Sequence, residues 1–271
     1  MVFGHDFSVV YRTMPLPALH SPVSIQAALL LALASAPADA AHPLITEDTG
    51  TQGARKFQLE VNAELSRDRA AGVLVKGFQP AAAITYGLRE NLDVQLGRPY
   101  LRQITDPAGA NTVVKGGLDT SLDLKWRFFE HGALSFGLKP GITFATGDEG
   151  SGLGTGRSTL GSLLIASWDS ERLGIHAHAG WRRNSNSVGQ RENVTQLAAA
   201  AVFKATESSR LIADLSRTTN PDRASNASIR YLTLGLIYSP RKEFDLDVGW
   251  RRAAGAPALD RALMFGSTLR W

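Results

Sequence analysis

From Phe57 onward hydrophobic residues recur at every second position, the period of an extended strand with one apolar face. Phe57, Leu59, Val61, Ala63 and Leu65 fall on one face, with Gln58, Glu60, Asn62 and Glu64 on the other. The same alternation sets Leu118, Thr120, Leu122, Leu124, Trp126 and Phe128 against Asp119, Ser121, Asp123, Lys125 and Arg127. It continues through Phe136, Leu138, Ile142 and Phe144. It returns where Phe244, Leu246, Val248 and Trp250 oppose Asp245, Asp247, Gly249 and Arg251. The final segment places Leu263, Phe265, Ser267, Leu269 and Trp271 on one face.

Short and long connections alternate between these segments. Short turns are expected around Leu88–Asn91, Phe129–Gly132, Asp169–Arg172, Thr206–Arg210 and Ser239–Glu243. Longer polar or Gly-rich connections are expected at Ser66–Lys76, Arg98–Lys115, Thr146–Arg157, Arg183–Glu192, Thr218–Asn226 and Arg252–Asp260. The pattern predicts an all-β fold: a transmembrane antiparallel up-and-down β-barrel of about 12 strands, with short periplasmic turns and longer outer loops. A soluble sandwich or lipocalin-like barrel would alternate in the same way. Three features favour a barrel in lipid. The polar faces carry acids and bases together, as a wet or plugged lumen would. Tyr86, Tyr100, Trp126, Phe128, Trp168, Trp181, Tyr238, Trp250 and Trp271 stand near strand ends, where a membrane interface attracts aromatic rings. The last strand ends on Trp271, which resembles the terminal signal read by the bacterial barrel-assembly machinery.

Composition agrees with such a barrel and removes other classes. Hydrophobic residues make up 44% of the 271 and mean hydropathy is −0.09, too polar for a bundle of membrane helices but normal for strands with one wet face. The net charge of +4 is spread over single residues and pairs such as Arg182-Arg183, so no nucleic-acid partner is expected. Cysteine is absent, which excludes disulfides and thiol chemistry and suits passage through an oxidising periplasm. The apolar run Ile25–Ala38 is too short for a helical span. With the small residues Ala38-Asp39-Ala40 it reads as a signal peptide over residues 1–40, cleaved after Ala40, whether translation starts at Met1 or Met14. Residues 41–55 then form a periplasmic lead or a partial plug, and 56–271 the barrel. In the plug reading, Glu47 and Asp48 enter the lumen and meet Lys125, Arg127 or Arg270.

The stretch His42-Pro43-Leu44-Ile45-Thr46-Glu47-Asp48-Thr49-Gly50-Thr51-Gln52-Gly53 leads into Lys56-Phe57-Gln58-Leu59-Glu60. Tyr86-Gly87-Leu88 to Leu92, Gly117–Phe128, and Lys139-Pro140-Gly141-Ile142-Thr143-Phe144 before Thr146-Gly147-Asp148 follow. Together these resemble the transporter-like family associated with the meta-pathway of phenol degradation, over most of the chain after residue 42. The resemblance implies an outer-membrane channel or uptake protein for hydrophobic or aromatic compounds, with no particular substrate and no binding residues to carry over.

The expected function is therefore passive uptake of small solutes across the bacterial outer membrane, with a structural or adhesive barrel acting through its outer loops as the alternative. Its partners are outer-membrane lipid, the assembly machinery and the solute. The expected lumen lining is Glu60, Asp119, Asp123, Lys125, Arg127, Lys139, His176, His178, Arg182, Asp245, Asp247 and Arg251. Catalysis is not expected. A phospholipase-type barrel needs a serine two residues from a histidine, and His176-Ala177-His178 supplies none. The two histidines share a face, but the sequence fixes no third metal ligand. Asp245 and Asp247 follow a short turn, the wrong end for a surface protease. Gly147–Gly156 lacks the lysine of a P-loop and reads as a flexible outer loop. No metal or cofactor is expected.

Overall fold

The computed structural model describes residues 42–70, 73–106, 112–255 and 260–271; the signal-peptide segment, residues 1–40, lies outside them. The described strands are β1 (Phe57–Ala70), β2 (Val73–Arg89), β3 (Leu92–Asp106), β4 (Thr112–Gly117), β5 (Thr120–His131), β6 (Leu134–Phe144) and β7 (Thr159–Asp169). They continue with β8 (Leu173–Arg183), β9 (Asn193–Thr206), β10 (Ser209–Thr218), β11 (Ile229–Arg241), β12 (Phe244–Ala253) and β13 (Arg261–Arg270). Each pairs antiparallel with its sequence neighbours, except that β4 and β5 both lie against β3, as two halves of one interrupted strand. The wall therefore has 12 strands.

β1 and β13 close it. Leu59 stands opposite Leu269 and Ala63 opposite Phe265. At the seam Phe57 N–H donates to the Trp271 carbonyl at 2.8 Å and Trp271 N–H donates back at 3.1 Å. The Phe57 and Trp271 rings stack, 5.6 Å apart and 12° from parallel. Closure leaves no free edge between the first and last strands, the condition for a sheet to sit in hydrocarbon; among the described residues β4, on the long-loop side, pairs with β3 alone.

The distribution of side chains is the reverse of a water-soluble protein's. Leu215 is 62% exposed, Leu160 58% and Leu197 55%, while Thr233 is fully buried and Asp214 and Gln103 are 1% exposed. Water would disfavour so much exposed aliphatic surface, whereas lipid does not. The alternation thus points its apolar face outward and its polar face into the lumen, giving a transmembrane barrel of the outer-membrane type.

The described residues of two predicted loops, 66–70 with 73–76 and 98–106 with 112–115, are strand instead. β1 and β2 stay paired from Ser66↔Gly77 to Ala70↔Val73, and β3 runs to Asp106 with Thr105 opposite Thr112. Above the bilayer the outward face no longer has to be apolar, so charged residues there end the apolar band without ending the ladder. Leu118 also departs from its expected outward face. The chain breaks from strand geometry at 118–119, Leu118 N–H donates to the Pro99 carbonyl at 2.9 Å, and its side chain turns inward to 2% exposure.

Candidate functional site: the lumen and the segment that crosses it

Residues 42–53 lie inside the barrel, held by wall side chains from one side of the lumen to the other. The chain enters from β1 through a tight return in which Gly53 and Arg55 have φ of 86° and 64°. Arg55 N–H donates to the Gly87 carbonyl at 2.7 Å and Gly87 N–H to the Lys56 carbonyl at 2.9 Å. A Cβ on Gly87 would overlap the Gly53 carbonyl, so glycine is required where the two backbones meet. Thr51 Oγ1 then donates to the Glu90 carbonyl at 2.8 Å, and Gln52 N–H to Asp93 at 3.0 Å.

Further in, the amides of Thr49, Glu47, Thr46 and Ile45 find acceptors on the wall strands, and Gly50 N–H donates to Asp48 within the segment. Thr49 N–H donates to Ser167 Oγ at 3.1 Å, and its hydroxyl is 2.6 Å from Ser135 Oγ. Glu47 N–H donates to His178 Nδ1 at 3.0 Å. Thr46 and Ile45 N–H both donate to Asp214 Oδ2, at 2.7 and 3.0 Å. The Pro43 ring packs where Gly235 and Gly249 lack side chains, and His42 Nδ1 meets Asp247. An irregular segment in a barrel interior has no other way to satisfy its backbone.

Glu47 is the charged centre of this contact, fully buried. It pairs with Lys125 and, at 2.9 Å, with Lys139; Asp48 stands 3.6 Å from Lys125. Lys139 also donates to Gln95 Oε1 at 3.3 Å, and Gln95 Nε2 to Glu60 at 3.3 Å, so one chain of polar contacts runs from β1 to the segment. Two cations flank one buried carboxylate, which offsets its desolvation only while both remain in contact.

Of the residues expected to line the lumen, Glu60, Lys125, Lys139, His178 and Asp247 belong to this constellation. Arg127 does not reach the acidic pair; it bridges to Glu130 at 3.1 Å on the short-turn rim. Arg270 instead joins Arg210 on Asp245, each at 3.0 Å. Arg251 pairs with Glu64 at 2.7 Å, with its guanidinium 5.5 Å from the Tyr231 ring centroid. Asp123 occupies the space that a side chain on Gly141 would fill, and Arg182 faces inward between Gly161 and Val194. Asp119 sits at the β4–β5 break, where it accepts from Gly147 N–H at 2.9 Å and Thr155 N–H at 3.0 Å. It therefore anchors the loop 145–158 and does not pair with Lys125 or Arg127.

His176 shows what periodicity within one strand could not: β7 brings Ser167 Oγ to 3.0 Å from its Nδ1, with Asp169 3.7 Å from Nε2. Ser167 is 1% exposed beneath Thr49 and His176 is buried beside it, while the Asp169 side chain is exposed at the short-turn rim. Among the described residues no group of three acidic or histidine side chains could hold a metal ion.

Toward the long-loop end the lumen turns apolar. Ile45 meets Val75, Leu101, Leu118, Leu153 and Tyr231 in one buried cluster. Leu153 comes from the Gly-rich loop, which folds inward over Gly116 and is not an open flap. Its turn is capped by Asp148, whose carboxyl is held below the usual carboxylate range by the Ser151 hydroxyl, 2.6 Å away. Asp214, Asp93 and Ser135 were legible as inward positions of alternating strands. Leu153 carries no periodic signal.

A family model described as "Putative MetA-pathway of phenol degradation" matches residues 43–271. Several solved structures share the fold at low identity. An outer-membrane channel from Pseudomonas putida F1 aligns with TM-score 0.68 at 13% identity, over 83% of this chain and 98% of its own. The NanC porin aligns with TM-score 0.54 at 9% identity, over 78% and 98%. The β domain of the Bordetella autotransporter BrkA aligns with TM-score 0.52 at 14% identity, over 80% and 100%. No curated protein sequence matches.

Proposed function

This chain belongs to the MetA-pathway phenol-degradation family, and from that premise we propose that it is a passive outer-membrane channel for small hydrophobic or aromatic solutes, restricted by residues 42–53. The observation that carries this reading is the path of the segment across the lumen, fastened at Glu47 between Lys125 and Lys139. The strap is held by polar and ionic contacts, which water can replace, and not by a continuous apolar core. On the long-loop side of the strap lies the apolar cluster of Leu101, Leu118 and Tyr231, buried under Leu153 and Ile45, which once uncovered offers a surface suited to an aromatic ring. Below it lie the charged residues and the strap. The similarity in fold to an outer-membrane channel and a porin supports the same reading.

Deleting residues 43–53 should raise single-channel conductance in planar bilayers severalfold, while the barrel still migrates as a folded, heat-modifiable band. Unchanged conductance would remove the strap from the function. If neither protein swells liposomes in small solutes, the barrel is structural or adhesive and acts through its outer loops.

A further inference from the structure

The outward face of the barrel ends, on its long-loop side, in a continuous row of cations. Arg252 stands directly opposite Arg261, Arg261 opposite Arg67, and Arg67 opposite Lys76, across β12, β13, β1 and β2. The row extends one diagonal step on either side, to the opposed pair Arg230↔Arg217 on β11 and β10 and to Arg102↔Lys115 on β3 and β4. All are exposed. Directly opposed side chains of an antiparallel pair have Cβ atoms about 5 Å apart, and like charges there destabilise the sheet.

The protein supplies little counter-charge to these eight cations: Asp260 stands beside Arg261, and Asp106 two residues from Ile104, the partner of Lys76. Among the described residues none of these side chains takes part in an ion pair, in contrast to Arg183, which sits at a similar level on β8 and pairs with Glu192 at 2.6 Å. The neighbouring segments 71–72, 107–111 and 256–259 contain no aspartate or glutamate. Position along the barrel axis identifies what does supply it. Arg67 and Arg261 are each about ten residues from the Phe57–Trp271 seam, or about 33 Å along the strand and about 25 Å along the axis at the usual tilt. That is the height of a barrel's apolar band, so the row lies at the headgroup level of the outer leaflet. Aromatic residues sit two positions below it, Trp250 under Arg252, Phe78 under Lys76 and Tyr100 under Arg102, as at a membrane interface.

We propose that this row is a docking surface for phosphate-bearing lipid of the outer leaflet. Lipid phosphates sit between the opposed guanidinium groups, which bind phosphate in bidentate fashion, and acyl chains lie on the apolar strand faces below. Beneath the Arg217–Arg230 pair the outer wall already offers a groove of about 640 Å³, lined by Leu164, Ala177, Ala199 and Leu215. Small alanines between leucine ridges leave the width of a chain.

Native mass spectrometry of the purified full-length barrel tests the proposal, with bisphosphorylated lipid A, its dephosphorylated form and inorganic phosphate as probes. The wild type should retain lipid A and not the dephosphorylated form. Replacing Arg67, Lys76, Arg252 and Arg261 by Gln should lower retention by at least about tenfold, since each cation near an anionic surface contributes appreciably. Equal retention by both proteins, or of both lipids, would overturn the proposal. Displacement of lipid A by inorganic phosphate at comparable concentration would also overturn it, because the site would then recognise a free anion. In lipid-free detergent the fourfold variant should unfold no earlier than the wild type, since repulsion has been removed. Earlier unfolding would mean that the row serves the sheet itself. Should the fourfold variant not fold, Arg252→Gln with Arg261→Gln carries the same test.

Discussion

Replacing Trp271 by Ala should sharply reduce the amount of folded barrel in the outer membrane while leaving export across the inner membrane intact. The seam between β1 and β13 is the one pairing that joins the ends of the barrel, and at its short-turn rim it depends on Phe57 and Trp271. Their reciprocal backbone hydrogen bonds survive the substitution. The stacked ring does not, and the aromatic cluster shrinks to Phe57 against Tyr86 at 4.6 Å. An aromatic pair is worth about 0.5–1.5 kcal/mol beyond its buried area. At a closing strand that loss falls on the step at which free edges disappear, so it should be felt in assembly more than in the finished barrel. The measurement is the heat-modifiable fraction in outer-membrane preparations, alongside refolding of the purified chain into lipid vesicles. Trp271→Phe keeps a ring at the seam and should assemble normally. If Trp271→Ala refolds as well as wild type in vesicles but fails in cells, the ring is read by the assembly machinery. If both fail, it acts through the seam. Normal assembly of Trp271→Ala in cells would remove both roles.

The strands that cross the bilayer were legible in the sequence because lipid imposes a strict rule on their outward face. Phe244 to Trp250 and Leu263 to Trp271 alternate regularly because one side meets hydrocarbon. A soluble barrel alternates too, and only the aromatic strand ends and the charged inner face told the two apart. The count of about twelve strands followed from the turns between such segments. Where lipid stops, the rule stops. Ser66–Lys76 reads as a loop by composition, but residues 66–70 and 73–76 are ladder, because a strand in headgroups or water accepts Arg67 and Lys76 outward. Leu118 belongs to an apparently unbroken alternation, yet a single departure from strand geometry reverses its direction, and no side-chain pattern records such a break. The lumen was legible as polar in kind, and Lys125 was among the partners expected for Glu47 and Asp48, but most pairings were not legible. Lys125 and Lys139 face inward by parity from the neighbouring strands β5 and β6, whereas the share of Lys139 in holding Glu47 depends on the course of a segment without periodicity. Leu101 and Leu153 were missed for a related reason. An apolar residue on a lumen face looks like an irregularity until a loop and the N-terminal segment are seen to cover it.

The convergence on Glu47 carries the other large effect. Glu47→Leu leaves Lys125 with Asp48 alone, 3.6 Å away, and removes the carboxylate 2.9 Å from Lys139, the two lysine side chains being 15% and 2% exposed. Removing one partner of a buried ion pair costs about 3–5 kcal/mol, mostly from the stranded charge. The barrel wall, with its continuous ladder, can bear that cost less easily than the segment can move. Water entering past a displaced segment would rehydrate both ammonium groups. The expected result is release of the segment: conductance close to that of the 43–53 deletion, faster proteolysis near residues 42–53, and little change in barrel unfolding. Glu47→Gln, which keeps hydrogen-bonding capacity without charge, should give an intermediate open probability. Combining Glu47→Leu with Lys139→Met and Lys125→Met removes the stranded cations as well. It should restore part of the closed state, because the amides of Ile45, Thr46 and Thr49 still have Asp214 and Ser167 as acceptors. The non-additivity of that cycle measures how much of the closure is electrostatic. If the single, double and triple variants all conduct like wild type, the segment is held by its backbone contacts alone and the ion pairs do not control the pore.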